Sequence, residues 1–137
     1  MEYKRLGHSG LQVSRIILGC MGFGDPSRGT HEWAIGIDEA RPIIRQALEA
    51  GITTFDTANV YSLGASEEIV GQVLGELTKR DDVIIATKVF SRMGPGPKDA
   101  GLSRAARSLR RSSRVCSGSR RTTSTSIRFT ATTPIPR

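Results

Sequence analysis

The sequence predicts an α/β fold built on a parallel sheet with helical cover. Three observations lead there. Short runs at residues 16–19 and 83–89, wholly or almost wholly apolar, and at residues 52–55 read as buried strands. An amphipathic segment of helical period separates each consecutive pair. The links between these segments are short, so successive strands cross over a helix and run parallel. Periodicity alone leaves a closed barrel and an open doubly wound sheet both possible.

The elements follow in order. Residues 3–6 and 11–13 flank Gly7, His8, Ser9 and Gly10, which have the turn chemistry of a β-hairpin. Ile16, Ile17, Leu18 and Gly19 form the first parallel strand. Residues 22–37 read as a loop, with Gly22, Gly24, Pro26 and Gly29, and with Trp33 expected to pack on apolar surface. Asp38 is placed to cap a helix that carries Ile43, Ile44, Ala47 and Leu48 on one stripe and ends before Gly51. Pro42 sits near enough to that helix start to be tolerated. The second strand takes residues 52–55. Ser66 then caps a helix with Glu67 and Glu68 in its first turn, where negative charge suits the dipole, and with Ile69, Val70, Val73, Leu74 and Leu77 on its apolar stripe.

A dinucleotide fold of the open type needs G-x-G-x-x-G between the first strand and a helix. Residues 18–24 read LGCMGFG, which lacks that spacing, and the next helix begins some 14 residues later. The glycines therefore read as loop punctuation, and a nucleotide would be held by other means.

Charge divides the chain in two. Residues 1–100 hold eleven basic and thirteen acidic residues, a net −2, whereas residues 101–137 hold nine arginines and no acid. The pI of 10.2 belongs to a tail, and no specific nucleic-acid partner is expected of the folded part. Cys20 and Cys116 supply neither a disulfide framework nor metal-ligand spacing, which fits a reducing compartment. The start MEYK is unlike a signal peptide, and the longest apolar stretch, residues 16–23, is too short to cross a bilayer. A cytoplasmic protein with no membrane partner is expected.

Asp56 falls at the carboxyl end of the second strand and Lys88 near that of the third, the rim on which parallel barrels build active sites. A lysine there could also be a snorkelling edge residue. The pairing argues otherwise, because adjacent parallel strands bring carboxylate and ammonium together. Tyr61 follows on the intervening loop and reaches the same place. Its phenol is a poor acid at neutral pH unless helped, and an ammonium held by Asp56 favours the phenolate. The three side chains make a proton donor for a carbonyl oxygen that receives hydride.

These residues resemble those of the aldo-keto reductases. GITTFDTANVY, residues 51–61, is similar to that family's strand-two signature G-[IV]-x-x-[FI]-D-T-A-x-x-Y; ASEEIVG, residues 65–71, resembles its following helix, and IATKV, residues 85–89, its strand-three T-K motif. The opening YKRLGHSGLQVS and LGCM resemble the hairpin and first strand of short, bacterial-type members. The resemblance runs from residue 1 to about 104. It implies a (β/α)8 barrel, of which this chain holds the hairpin and roughly three β/α units, with NADPH as hydride donor and an aldehyde or ketone as substrate. Residue by residue, it makes Tyr61 the general acid tuned by Lys88 and Asp56. It also sets Cys20 and Met21 beside the nicotinamide and Asp56 beside the ribose. Cys20 stands where threonine is commoner.

The family's fourth site residue, a histidine ending strand four, has no counterpart. His8 lies in the hairpin turn and His31 in a loop, and both read as surface residues. Residues 105–137, rich in Arg, Ser and Thr, carry no helix or strand pattern and read as a disordered tail. A second explanation accounts for more. Residues 122–130, TTSTSIRFT, can be encoded by bases that spell DYIDLYQIH when read one base out of register behind a leading G, and the run to Pro134 can continue as RYDP. That string resembles the family's strand four, ending on the missing histidine, so the tail reads as an out-of-frame translation. With three strands of eight, the third would keep an exposed apolar edge, and an inactive, poorly folded chain that is prone to aggregate and binds NADPH weakly or not at all is expected. The alternatives are a regulatory barrel-derived protein and a nucleic-acid binder acting through its tail.

Overall fold

The structure, a computed structural model, describes residues 1–29, 31–88 and 93–95, together with the backbone of Ile127–Arg128. β1 (Tyr3–Arg5) and β2 (Gln12–Ser14) form the expected antiparallel hairpin, with Lys4 opposite Val13. A parallel sheet then takes β3 (Leu18–Gly19), β4 (Thr54–Asp56), β5 (Ile84–Thr87) and β6 (Ile127–Arg128) in that spatial order. α1 (Ile37–Glu49) and α2 (Ala65–Leu77) make the two crossovers. The register aligns Gly19 with Asp56 and Asp56 with Ala86, so the carboxyl ends of three strands meet on one rim.

The core lies between the sheet and the two helices. Phe55, Ile44, Val70 and Val73 are fully buried there, and Phe23, Leu74, Val83 and Ile85 pack against them. Val70, Val73 and Leu74 face inward from α2 as the apolar stripe requires. On α1 the inward face is Ala40, Ile44 and Ala47, while Ile43 is 40% exposed and turns outward. An ion pair between Arg41 and Glu76 links the two helices.

Several expectations are corrected. The caps are glycines: Gly36 precedes α1, and Gly64, at φ 96°, precedes α2. Asp38 sits in the first turn of α1, and Ser66 is inside α2 with its hydroxyl engaged elsewhere. Pro42 stands within α1, where it cannot donate back to the preceding turn. Trp33 is 58% exposed and stacks on His31, ring centroids 4.7 Å apart. Ile16 and Ile17, which lead into β3, are also exposed, and β3 is hydrogen-bonded on its β4 side alone among the described residues.

The tail brings a further correction. A strand was not expected beyond residue 104, yet Ile127–Arg128 runs parallel to β5, with Ile127 opposite Ala86 and Arg128 opposite Thr87. An unpaired strand edge is a row of free N–H and C=O groups that takes up an extended, β-branched segment. The disorder expected for the rest of residues 105–137 lies outside the described residues. Among the described residues no helix is long and apolar enough to cross a membrane.

Candidate active site

Asp56, Tyr61 and Lys88 converge at the rim. Past the strand ends, the Thr57 N–H donates to the Ala86 carbonyl at 2.8 Å and the Asn59 N–H to the Lys88 carbonyl at 3.1 Å. These bonds carry the β4–β5 ladder onto the loop and hold Lys88 over it. The Lys88 ammonium then donates to Asp56 Oδ2 at 2.7 Å, to the Thr57 carbonyl at 3.0 Å and to the Tyr61 hydroxyl at 3.3 Å.

An ammonium has three protons, and here each finds an acceptor. The Tyr61 oxygen accepts from Lys88, so its own O–H is left to point at something else. Lys88 also lies 5.1 Å from the centre of the Tyr61 ring. Burial works to lower the Lys88 pKa, but the hydrogen bonds to Asp56 and Tyr61, with the charge of Asp56, outweigh it and raise the pKa. The lysine is therefore held charged. Asp56 and Lys88 side chains are each 37% exposed, so solvent screens the pair.

Behind the rim is a buried polar lattice. The Ser66 hydroxyl donates to the Cys20 carbonyl at 2.6 Å and lies 2.9 Å from the Thr57 hydroxyl. Having one proton, Ser66 accepts from Thr57. Thr87 donates to Glu67 in the first turn of α2 at 2.6 Å. These links fasten the ends of β3, β4 and β5 to one helix start. Sequence reasoning missed Thr57, Asn59 and Ser62, all essentially buried. The available signal was a run of small polar residues joining a buried strand to a helix.

Cys20 and Met21 separate. Cys20 is wholly buried, and its N–H donates to the Asp56 carbonyl at 2.8 Å, so it supports the rim from behind. Burial first, and the charge of Asp56 second, push its thiol up to about 12, which leaves it unreactive at neutral pH. Met21 is exposed beside it. A cavity of about 460 Å³ lies on the inner face of the sheet, lined by Leu6, Val13, Ile17, Thr54, Asp56 and Ile84 among others. No histidine joins the site among the described residues.

The aldo/keto reductase family matches residues 15–120. This chain belongs to the aldo/keto reductase family. It is 50% identical over 91 residues to versiconal hemiacetal acetate reductase of Aspergillus parasiticus, a match covering 66% of this chain and 26% of that protein. It is 42% identical over 106 residues to a probable voltage-gated potassium channel subunit beta of Arabidopsis thaliana, covering 76% of this chain and 30% of the relative. Among solved structures, the aldo-keto reductase AKR11C1 from Bacillus halodurans, in its holo form, superposes with a TM-score of 0.65 at 32% identity. That superposition covers 86% of this chain and 36% of the other. The chain therefore spans roughly a quarter to a third of its relatives' length, and its fold is an amino-terminal part of the aldo/keto reductase (β/α)8 barrel.

Proposed function

We propose that this chain carries the acid half of an NADPH-dependent reductase of aldehydes or ketones, with Tyr61 as proton donor. The carrying observation is that Lys88 donates to Asp56, to the Thr57 carbonyl and to the Tyr61 oxygen, so that Tyr61 accepts there and its own proton has no acceptor among the described residues. The residues present fit the cofactor in kind. A half-exposed Asp56 carboxylate can accept from a ribose hydroxyl, and the exposed Met21 side chain offers apolar surface beside it. NADPH, when bound, supplies the hydride for the carbonyl carbon.

Tyr61 gives its hydroxyl proton to the carbonyl oxygen, and the alcohol O–H is completed. The phenolate left behind lies beside the Lys88 ammonium, whose charge Asp56 holds in place. Placing fixed charge where charge develops is the strongest device such a site has.

Residues 105–137 we read as an out-of-frame stretch. Supporting this, residues 122–130 can be encoded by bases whose shifted frame spells a strand-four-like string, and all nine basic residues after residue 100 are arginines. The genomic DNA around codons 100–115 tests the reading; an intact frame encoding the Arg/Ser/Thr tail would refute it. For the chemistry, the protein encoded by the restored frame should oxidise NADPH with aldehydes. Tyr61→Phe should lower kcat by about 10²–10⁴-fold while leaving NADPH binding intact. Undiminished turnover in that variant would remove Tyr61 from the mechanism.

A further inference from the structure

Tyr61 is followed by an unusual backbone. Ser62 (φ 45°, ψ 44°) and Leu63 (φ 51°, ψ 40°) are both left-handed, and neither is glycine. Two such residues in succession are strained and persist where surrounding structure over-determines them. What over-determines them is visible. Residues 22–29 cross this turn and touch it at three points.

A β-carbon built on Gly24 would stand 2.0 Å from the Ser62 hydroxyl oxygen and 2.5 Å from the Ser62 β-carbon. Only a glycine can lie there while Ser62 keeps its place. Gly29, itself at φ 90°, comes so close that its β-carbon would be 3.3 Å from the Ser62 α-carbon. Between them, Arg28 donates to the Leu63 carbonyl at 3.1 Å and pairs with Glu68 of α2 at 2.8 Å. The loop is anchored in turn: the Gly24 N–H donates to the Ile35 carbonyl, Ile35 donates back to Gly22, and Phe23 enters the core. Ser62 is fully buried, and its hydroxyl finds no hydrogen-bond partner among the described residues. Its side chain thus serves as a wedge against Gly24.

We propose that residues 22–29 are a positioning clasp, in which Gly24, Arg28 and Gly29 hold Ser62 and Leu63 left-handed and thereby aim Tyr61 at Lys88. Without the clasp the turn relaxes to an ordinary conformation and the phenol swings off the ammonium. Gly24 and Ser62 are positioning residues and touch neither Lys88 nor substrate. The inference builds on the reading of Tyr61 as proton donor, but its test reads geometry and needs no turnover, so the two can fail separately.

The chain has two tyrosines, so Tyr3→Phe leaves Tyr61 as the sole source of a tyrosine ring signal. In that full-length background, the ring ζ-carbon resonance of isotopically labelled tyrosine is recorded with Lys88 and with Lys88→Met. The expected result is a shift of the resonance by Lys88→Met in the parent, loss of most of that shift in Gly24→Ala and in Arg28→Ala, and its return in Gly24→Ala/Ser62→Gly. The double variant removes the group that a β-carbon meets and supplies a residue at ease with positive φ. A general loss of packing would not be repaired by it. The proposal is overturned if Gly24→Ala keeps the Lys88-dependent shift, if the double variant fails to restore it, or if the parent resonance already lies at the free-tyrosine position.

Discussion

Removing the Ser66 hydroxyl tests the lattice behind the site more directly than any change at the rim. Ser66 is fully buried, accepts from Thr57 at 2.9 Å and donates to the Cys20 carbonyl at 2.6 Å. In Ser66→Ala, a carbonyl on the fully buried Cys20 and a buried Thr57 hydroxyl both lose their partner. Stranding a buried polar group costs about 1–3 kcal/mol, so the pair should cost about 2–6 kcal/mol. Urea unfolding followed by far-ultraviolet circular dichroism measures this, with an unchanged slope showing that the folded state is otherwise intact.

A second variant separates the two halves. Ser66→Ala/Thr57→Val replaces both hydroxyls by apolar groups of similar size, and should recover about 1 kcal/mol of the loss, leaving only the stranded carbonyl. The Thr57 carbonyl is also an acceptor of Lys88, so the single variant should loosen the rim as well. A Ser66→Ala cost below about 0.5 kcal/mol, typical of a surface change, would refute the lattice. So would a double variant whose loss is simply the sum of the singles.

Other outcomes follow from the same geometry. Because the unfolded chain releases the Cys20 proton near 9.0 and the folded chain near 12, stability is whole below pH 9 and declines as pH rises, by about 1.4 kcal/mol per unit. Urea midpoints at about pH 8 and about pH 10 should differ in the parent and differ less in Cys20→Ala. Gly51 has φ 83° and a β-carbon there would stand 2.8 Å from that of Met1, so Gly51→Ala should cost about 1–2 kcal/mol in the same assay. A neutral result would remove the strain argument. NADPH added to the 137-residue chain should leave Trp33 emission unquenched at stoichiometric ratio, and full quenching there would show a competent cofactor site.

The three rim residues were legible because strand ends and loop length place them with little freedom. Asp56 ends β4, Lys88 follows directly on the parallel β5, and Tyr61 is five residues beyond Asp56. What escaped was set by partners distant in sequence. Ser66 has the composition of a helix cap, but its hydroxyl is claimed by a carbonyl 46 residues away. An apolar run such as Ile16–Ile17 announces burial without saying what will do the burying, and here nothing described covers it. The left-handed Ser62 and Leu63 carry no local signature, since glycine would ordinarily mark such a turn.

Among the described residues, the three hydrogen bonds of the Lys88 ammonium all fall within residues 56–88. At 37% exposure on each side chain, the Asp56–Lys88 pair acts through a dielectric closer to water than to protein, where an ion pair contributes only about 0–1 kcal/mol. The same charges in a dry cleft would hold a phenolate several times more firmly, because Coulomb energy scales inversely with effective dielectric. Geometry and chemical power are thus distinct. The parallel strands bring the three side chains together, and enclosure of such a rim would strengthen their mutual field. A chain can therefore present Asp56, Tyr61 and Lys88 in correct array and still transfer protons slowly.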